Sequence, residues 1–579
     1  MSNNKKAETV FPNPSFERKN WKTLDGEWSF AFDDSNKFEA NTDAIAFTDK
    51  ILVPFCYQSE LSGVSRKDTC ENVWYSRVFE VSKEELSGAV LLKFGAVDYT
   101  AKVYINNFYV GRHDGGFTPF SFEIGQYLHV GENRVTVKAE DSYSKEYPRG
   151  KQMWAEKPDM CWFTNTTGIW QSVWIEFTGE NYITRVFVTP DIDTNSACFE
   201  IDTKSSGGHQ IKVELSKNGE QLGELSVAPR DGKNNMSFRF AESCARAVFD
   251  LYWSPDYPVL IDVKVTLFEN GVLKDTVYTY FGMRKIHVDG DNIFINNQPL
   301  YQRLVLDQGY WSESLMTPPS DEALKKDIED IKLMGFNGAR NHQKIGDPRY
   351  YYWADRLGLL IWGELPSAYE YTFDSRNSLL SEMCAFIGRD YNHPSIISWV
   401  PFNESWGVPQ IPENIEQQNF VRSFYYLIKA YDPTRLVISN DGWEQIEATD
   451  ICGIHDYDVR AENVDERYKD VYEVLKSSVN FKPVYARGYR YNGVPVILTE
   501  TGGIKLKNDG GWGYNGAAEN EEELFYALSG LIGSIRNTKN LKGYCYTQLT
   551  DVGQETNGLM TADRQPKIDF EKLRQIFGQ

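Results

Sequence analysis

Two glutamates each close a β-branched apolar run. One run is Ile396-Ile397-Ser398-Trp399-Val400-Pro401-Phe402-Asn403-Glu404, and the other is Val494-Pro495-Val496-Ile497-Leu498-Thr499-Glu500. Unbroken hydrophobicity that gives way to polar residues is the pattern of a buried parallel strand ending at a solvent-facing mouth. Two carboxylates at such ends can act together on the bond between a sugar and its leaving oxygen. Glu404 and Glu500 are therefore the candidate catalytic pair. A retaining course requires carboxyls ~5–5.5 Å apart, an inverting one ~6.5–9.5 Å.

Eight runs of this kind follow residue 285: Tyr301–Leu306, Phe336–Arg340, Leu359–Trp362, Ile396–Phe402, Leu436–Ser439, Ile451–His455, Val494–Thr499 and Gly543–Gln548. Helical patterns connect nearly all of them. Ser320 can cap a helix with the stripe Leu324, Ile328, Ile331 and Met334, and Asp347-Pro348 opens another that Gly358 ends. The connection after Ser439 is short and poor. Eight βα units predict a C-terminal (β/α)8 TIM barrel over 285–579, with its site at the C-terminal strand ends. Reading those ends gives Asp307, Arg340, His342, Glu364, Asn403, Trp443, His455, Tyr457 and Gln548 as substrate-binding candidates. Asn341, Asp441, Asp456 and Asp551 fall on the same rim. His342 has no third histidine near enough to suggest a metal, which leaves a hydrogen bond to a sugar or a structural role. The stretch Gly510-Gly511-Trp512-Gly513 reads equally as a lid or as an ordinary surface loop.

The 285 residues or so before the barrel read as all-β. Runs at Gly88–Phe94, Thr100–Ile105 and Asn133–Ala139, with turns at Asn106-Asn107 and Gly131-Glu132-Asn133, predict a jelly-roll-type β-sandwich over 1–182. Alternation at Ile211–Leu215 and Ile261–Leu267, with hairpin signals Asn218-Gly219 and Asn270-Gly271, predicts an immunoglobulin-like β-sandwich over 183–284. Both read as scaffolding.

Lys+Arg 61 against Asp+Glu 82 gives a net charge of −21. That disfavours nucleic acid and anionic membrane as partners. The eight cysteines are scattered, without the close pairs of a zinc site, and read as reduced thiols. No signal-peptide pattern and no long apolar span are evident, so a cytoplasmic location is expected. With 15 Trp and 34 Tyr, some rings can serve as stacking surfaces for sugars. The expected partner is a carbohydrate or glycoside; no cofactor is called for, and the oligomeric state is left open.

Several motifs resemble glycoside hydrolase family 2, the β-galactosidase and β-glucuronidase family. They are Leu24-Asp25-Gly26-Glu27-Trp28, Gly115-Gly116-Phe117-Thr118-Pro119-Phe120, Thr167-Gly168-Ile169-Trp170-Gln171, Trp253-Ser254-Pro255, Phe281-Gly282-Met283-Arg284 and Gly335-Phe336-Asn337 with Arg340. The resemblance implies a retaining exo-β-glycosidase. It makes Glu404 the acid/base, Glu500 the nucleophile, Asn403 the partner of the sugar's 2-hydroxyl, and Tyr457 a partner of the nucleophile. It also exposes departures. The usual galactosidase pattern Ser-His-Tyr-Pro is Asn341-His342-Gln343-Lys344 here. The glucuronidase Asn-x-Lys clamp is Asn557-Gly558-Leu559, without its lysine. The default expectation is therefore β-galactosidase-like. The alternatives are a β-uronidase (glucuronidase or galacturonidase), an enzyme for an arabinose-type or pectic sugar, or a catalytically inactive carbohydrate-binding protein. Arg487, Arg490, Lys505 and Lys507 flank the seventh strand and offer a second route to an acidic sugar, or are simply solvated.

Overall fold

The computed structural model describes residues 10–38, 42–205, 209–228, 232–240 and 250–579. The first domain packs a six-stranded antiparallel sheet against a four-stranded one. The core between them contains Trp28, Tyr75, Leu92 and Val137. Gly131-Glu132-Asn133, expected as a turn, instead begins the strand Gly131–Glu140. Gly131 pairs with Val81, so the ladder claims these residues. The second domain packs three strands on four. Its hairpins turn where expected, with both residues left-handed at Asn218-Gly219 (φ +51° and +82°) and at Asn270-Gly271 (+50° and +78°).

The barrel strands are β1 (Gln302–Asp307), β2 (Gly338–Asn341), β3 (Leu360–Glu364), β4 (Ile396–Val400), β5 (Leu436–Val437), β6 (Cys452–Asp456), β7 (Val496–Gly502) and β8 (Leu541–Thr547). They form one parallel sheet in the order β5-β4-β3-β2-β1-β8-β7-β6. Alternate residues divide two cores. Trp362, Ile397, Val400 and Ile497 fill the inside, while Ile361, Trp399 and Leu498 pack outward against the helices. The helix Asp321–Leu333 starts where Ser320 Oγ accepts from Ala323 N at 3.2 Å. The helix Pro348–Leu357 stops at left-handed Gly358. No helix among the described residues is long and apolar enough to cross a membrane.

The first sandwich is not a detached module. Ala96, Phe117, Phe163 and Trp170 belong to the same apolar cluster as the barrel's outer core. Residues 141–167, a long connection between the strands Gly131–Glu140 and Gly168–Ile169, lie on the barrel rim. Arg149 N and Gly150 N both donate to Ser367 O, at 3.0 and 3.1 Å. Gly150 has φ +57°, and a Cβ there would sit 2.1 Å from Gln343 O. No L side chain fits this approach. Gly150→Ala is expected to push the connection off the rim at a cost of ~1–3 kcal/mol. Because this loop walls the site described next, KM should rise more than kcat falls. Steady-state kinetics with an aryl glycoside, beside a thermal melt, checks this, and an unchanged KM would refute the coupling.

Candidate active site

Arg340, on β2, is fully buried and organises the rim. Its Nε donates to Glu364 Oε2 (2.8 Å), its Nη1 to Glu500 Oε1 (2.6 Å) and its Nη2 to Asn403 Oδ1 (2.7 Å). One rigid guanidinium thus fixes groups from β3, β7 and the end of β4. Asn403 is left with a buried Nδ2 that has no partner. A buried donor of this kind costs free energy until something accepts from it, so its geometry suits a sugar hydroxyl.

Beyond β4 the backbone turns through two consecutive non-glycine left-handed residues, Glu404 (φ +52°) and Ser405 (φ +60°). Each such residue costs about 1–2 kcal/mol. Tertiary bonds hold the turn. Glu404 N donates to Asp441 O at 2.9 Å and Ser405 N to Asn440 Oδ1 at 3.0 Å. Ser405 Oγ donates to Glu444 Oε2 at 2.5 Å. The turn brings the Glu404 carboxylate against His455, where its side chain keeps 15% exposure.

His455, on β6, sits between the acids. Its Nδ1 is 2.7 Å from Glu404 Oε1, and its Nε2 is 3.4 Å from Asp441 Oδ2 and 3.6 Å from Glu500 Oε1. Glu404, His455 and Glu500 each offer one ligand-type atom, all within 4.8 Å of one another. One carboxylate oxygen of Glu404 thus lies within 4.8 Å of one of Glu500. Burial would lower the His455 pKa, but Glu500, Asp441 and Glu404 raise it to about 10. The imidazolium thus supplies the positive charge that this carboxylate cluster needs. A cation held by the same three atoms would have to displace that proton.

Burial would raise Glu500, but the charges of His455 and Arg340, with the Tyr457 hydroxyl bond, hold it below the usual carboxylate range. Asp441 is likewise brought down to about 2 against its burial, by Arg340 and then His455. His342 goes the other way. Burial, then Arg340 and Lys151, keep it well below an ordinary histidine, hence neutral.

The expected rim residues divide into two groups. Arg340, Asn403, His455, Tyr457, Glu404 and Glu500 converge. Trp443 stands edge-on to His455, ring centres 5.5 Å apart, with its Nε1 unpartnered. Glu364 is fully buried and bonded to Arg340, Gln343 (2.6 Å) and His342 (3.2 Å), so it positions others and does not face the mouth. Asp307 accepts from Gly309 N at 2.8 Å, with no bond to the carboxylate cluster. Gln548 is spent on Gln308 (2.9 Å) and Asn557 (2.7 Å). Asp456 turns away to Arg467 and Tyr468. Arg487 and Arg490 are exposed. Lys505 caps carbonyls of Gly510 and Gly511, and Lys507 pairs with Glu519. The Gly510–Gly513 stretch is part of the wall, since Trp512 Nε1 donates to Met160 O at 2.9 Å and the adjoining Tyr514 stacks on Tyr457 at 3.7 Å.

Five contributors lie outside the expected set. Asp441 was on the rim by position but was not singled out. Trp406, two residues past Glu404, stands 5.7 Å from both Trp162 and Tyr369, ring centre to ring centre. Lys151 and Trp162 come from the sandwich connection. Glu555 is buried, pushed up to about 7 by burial although Lys151 pulls it down, and its Oε2 has no partner. The one sequence signal for the sandwich contribution is length. A connection as long as 141–167 in a compact domain is uncommon and is usually functional.

A parallel barrel whose rim joins two carboxylates across an imidazolium is the framework of a glycoside-cleaving enzyme. The chain belongs to glycosyl hydrolases family 2: that family's sugar binding domain matches residues 21–177, its middle segment 181–284 and its TIM barrel domain 286–524. A Beta-galactosidase of Thermoanaerobacter pseudethanolicus is 28% identical over 57% of this chain and 44% of its own length. The chain spans about half the length of the first curated relatives it matches. A Beta-glucuronidase of Paenibacillus borealis is 24% identical over 98% of both chains. The crystal structure of a GH2 beta-galacturonidase from Eisenbergiella tayi bound to galacturonate superposes with TM-score 0.75 at 19% identity, covering 98% of each chain.

Proposed function

We propose that this chain is a retaining exo-β-glycosidase that removes a terminal hexuronic acid, a β-glucuronide or β-galacturonide. The observation that carries the retaining chemistry is the placing of the Glu404 and Glu500 carboxylate oxygens within 4.8 Å across His455. Glu500 is ionised and held by Arg340 and Tyr457, as a nucleophile must be. It attacks the anomeric carbon as the bond to the leaving oxygen breaks, and that oxygen takes its proton from Glu404, to which His455 Nδ1, 2.7 Å away, passes one. A water then attacks the glycosyl ester, giving its proton to Glu404 and releasing Glu500. Asn403 Nδ2 donates to the 2-hydroxyl as charge develops on the ring.

The sugar class rests on the relative that spans the whole chain, named a beta-glucuronidase, and on the superposed beta-galacturonidase. It replaces the galactoside default. The test is a set of 4-nitrophenyl β-glycosides (glucuronide, galacturonide, galactoside) with the product anomer followed by proton NMR. Uronides should show the highest kcat/KM, and the β-anomer should form first. A galactoside cleaved faster than either uronide removes the sugar assignment, and an α-anomer formed first removes the retaining mechanism.

A further inference from the structure

The glucuronidase-type lysine after Asn557 is absent, and its place is taken by Leu559, which is buried with 2% exposure. A uronide carboxylate therefore needs another cation. The cations of the catalytic cluster are already committed. Arg340 serves Glu364, Glu500, Asp441 and Asn403, and His455 serves Glu404 and Asp441. Three lysines are buried among the described residues: Lys138, Lys151 and Lys344. Lys138 pairs with Glu140 at 2.5 Å, and Lys344 donates to the carbonyls of Gly309 (2.5 Å) and Met316 (2.7 Å). Lys151, only 4% exposed, has no carboxylate at ion-pair distance among the described residues. Its polar neighbour is the Cys161 thiol, a weak acceptor.

A buried ammonium without a counter-ion is costly and calls for a partner. Lys151 stands where a substrate would supply one. Its Nζ is 5.2 Å from the Trp406 ring centre, beside the turn that carries Glu404, and 5.8 Å from that of Phe163. Glu500, Glu404 and Glu555 all act on its charge. The loop that carries it is anchored to both domains. Gln152 Nε2 donates to Asp98 Oδ2 at 2.7 Å, and Gly150 is locked over Gln343 O. From this we infer that Lys151, delivered to the barrel by the sandwich domain, is the receptor for the carboxylate of a uronic acid. Glu555, buried and with an unpartnered Oε2, also acts on the Lys151 charge.

This inference rests on the uronide reading. The test compares wild type and Lys151→Gln on a 4-nitrophenyl β-uronide and the matching β-galactoside, with thermal melts to show that both fold. The expected result is a fall of about 10²-fold in the ratio of uronide to galactoside kcat/KM, mainly through KM, as loss of a charged contact to a buried group produces. A parallel fall on both substrates, or no fall, overturns the role of Lys151 and leaves the uronide reading standing. A wild type that prefers the galactoside overturns both. A crystal of wild type soaked with the uronic acid gives an answer that does not depend on any variant folding. The carboxylate within about 3.2 Å of Lys151 Nζ supports the assignment, and a carboxylate bound elsewhere refutes it.

Discussion

Glu500→Gly is expected to lower kcat on an aryl glycoside on the order of 10⁴-fold or more, because the covalent step goes with its carboxylate. Azide should restore part of the rate by entering the vacated volume under Arg340. It attacks the anomeric carbon from the side Glu500 occupied, so the product is the α-glycosyl azide. Glu404→Gly should respond differently. A substrate with a good leaving group forms the glycosyl ester without acid help, and azide then attacks from the opposite face to give the β-glycosyl azide. The prediction follows from unequal environments. Glu500 is 3% exposed and fixed by Arg340 and Tyr457, while Glu404 faces the mouth from a left-handed turn. The assignment fails if the two variants give the same azide anomer, and the roles are exchanged if the anomers are swapped.

The barrel, and the place of the two glutamates proposed as its catalytic pair, were legible because a parallel strand buried on both faces writes itself as a continuous apolar run, and the residue after the run marks the mouth. The pattern gives position along the strand, not the direction in which a polar end bonds. That is why Asp307, Glu364 and Gln548 stood beside Arg340 and His455 as equals in sequence, whereas the structure turns them into supporting bonds. The fifth strand shows a second limit. Only Leu436–Val437 pair as a strand, too few residues for a period to register. Yet the same segment continues to Asp441, bridged to Asn403, and shapes the turn at Glu404. That turn holds no glycine, so nothing local announces it; Asn440 and Glu444 impose it. Lys151 lies further out of reach, because its place beside Trp406 is made by two domains docking and by the lack of a side chain at Gly150.

His455→Gln should lower kcat/KM by about 10²–10³-fold, the usual cost of removing one preorganised charge from a cluster of this kind. The imidazolium touches Glu404 and faces Asp441 and Glu500. Without its charge three carboxylates crowd one another, Glu500 is less readily kept ionised, and the Glu404 side chain loses the contact that aims it. His455 is a positioning residue in this account, and stability provides a readout separate from rate. Its pKa is raised from 6.5 to about 10. The stability drawn from its proton is therefore complete below about pH 6.5 and is lost as pH rises through about 10. Within that window each pH unit removes at most ~1.4 kcal/mol. Wild type should lose Tm progressively from pH 7 to 10, while His455→Gln, starting lower, should lose less over the same range. Parallel Tm curves would show that His455 does not carry the charge, and the electrostatic account of the carboxylate pair would then have to rest on Arg340 alone.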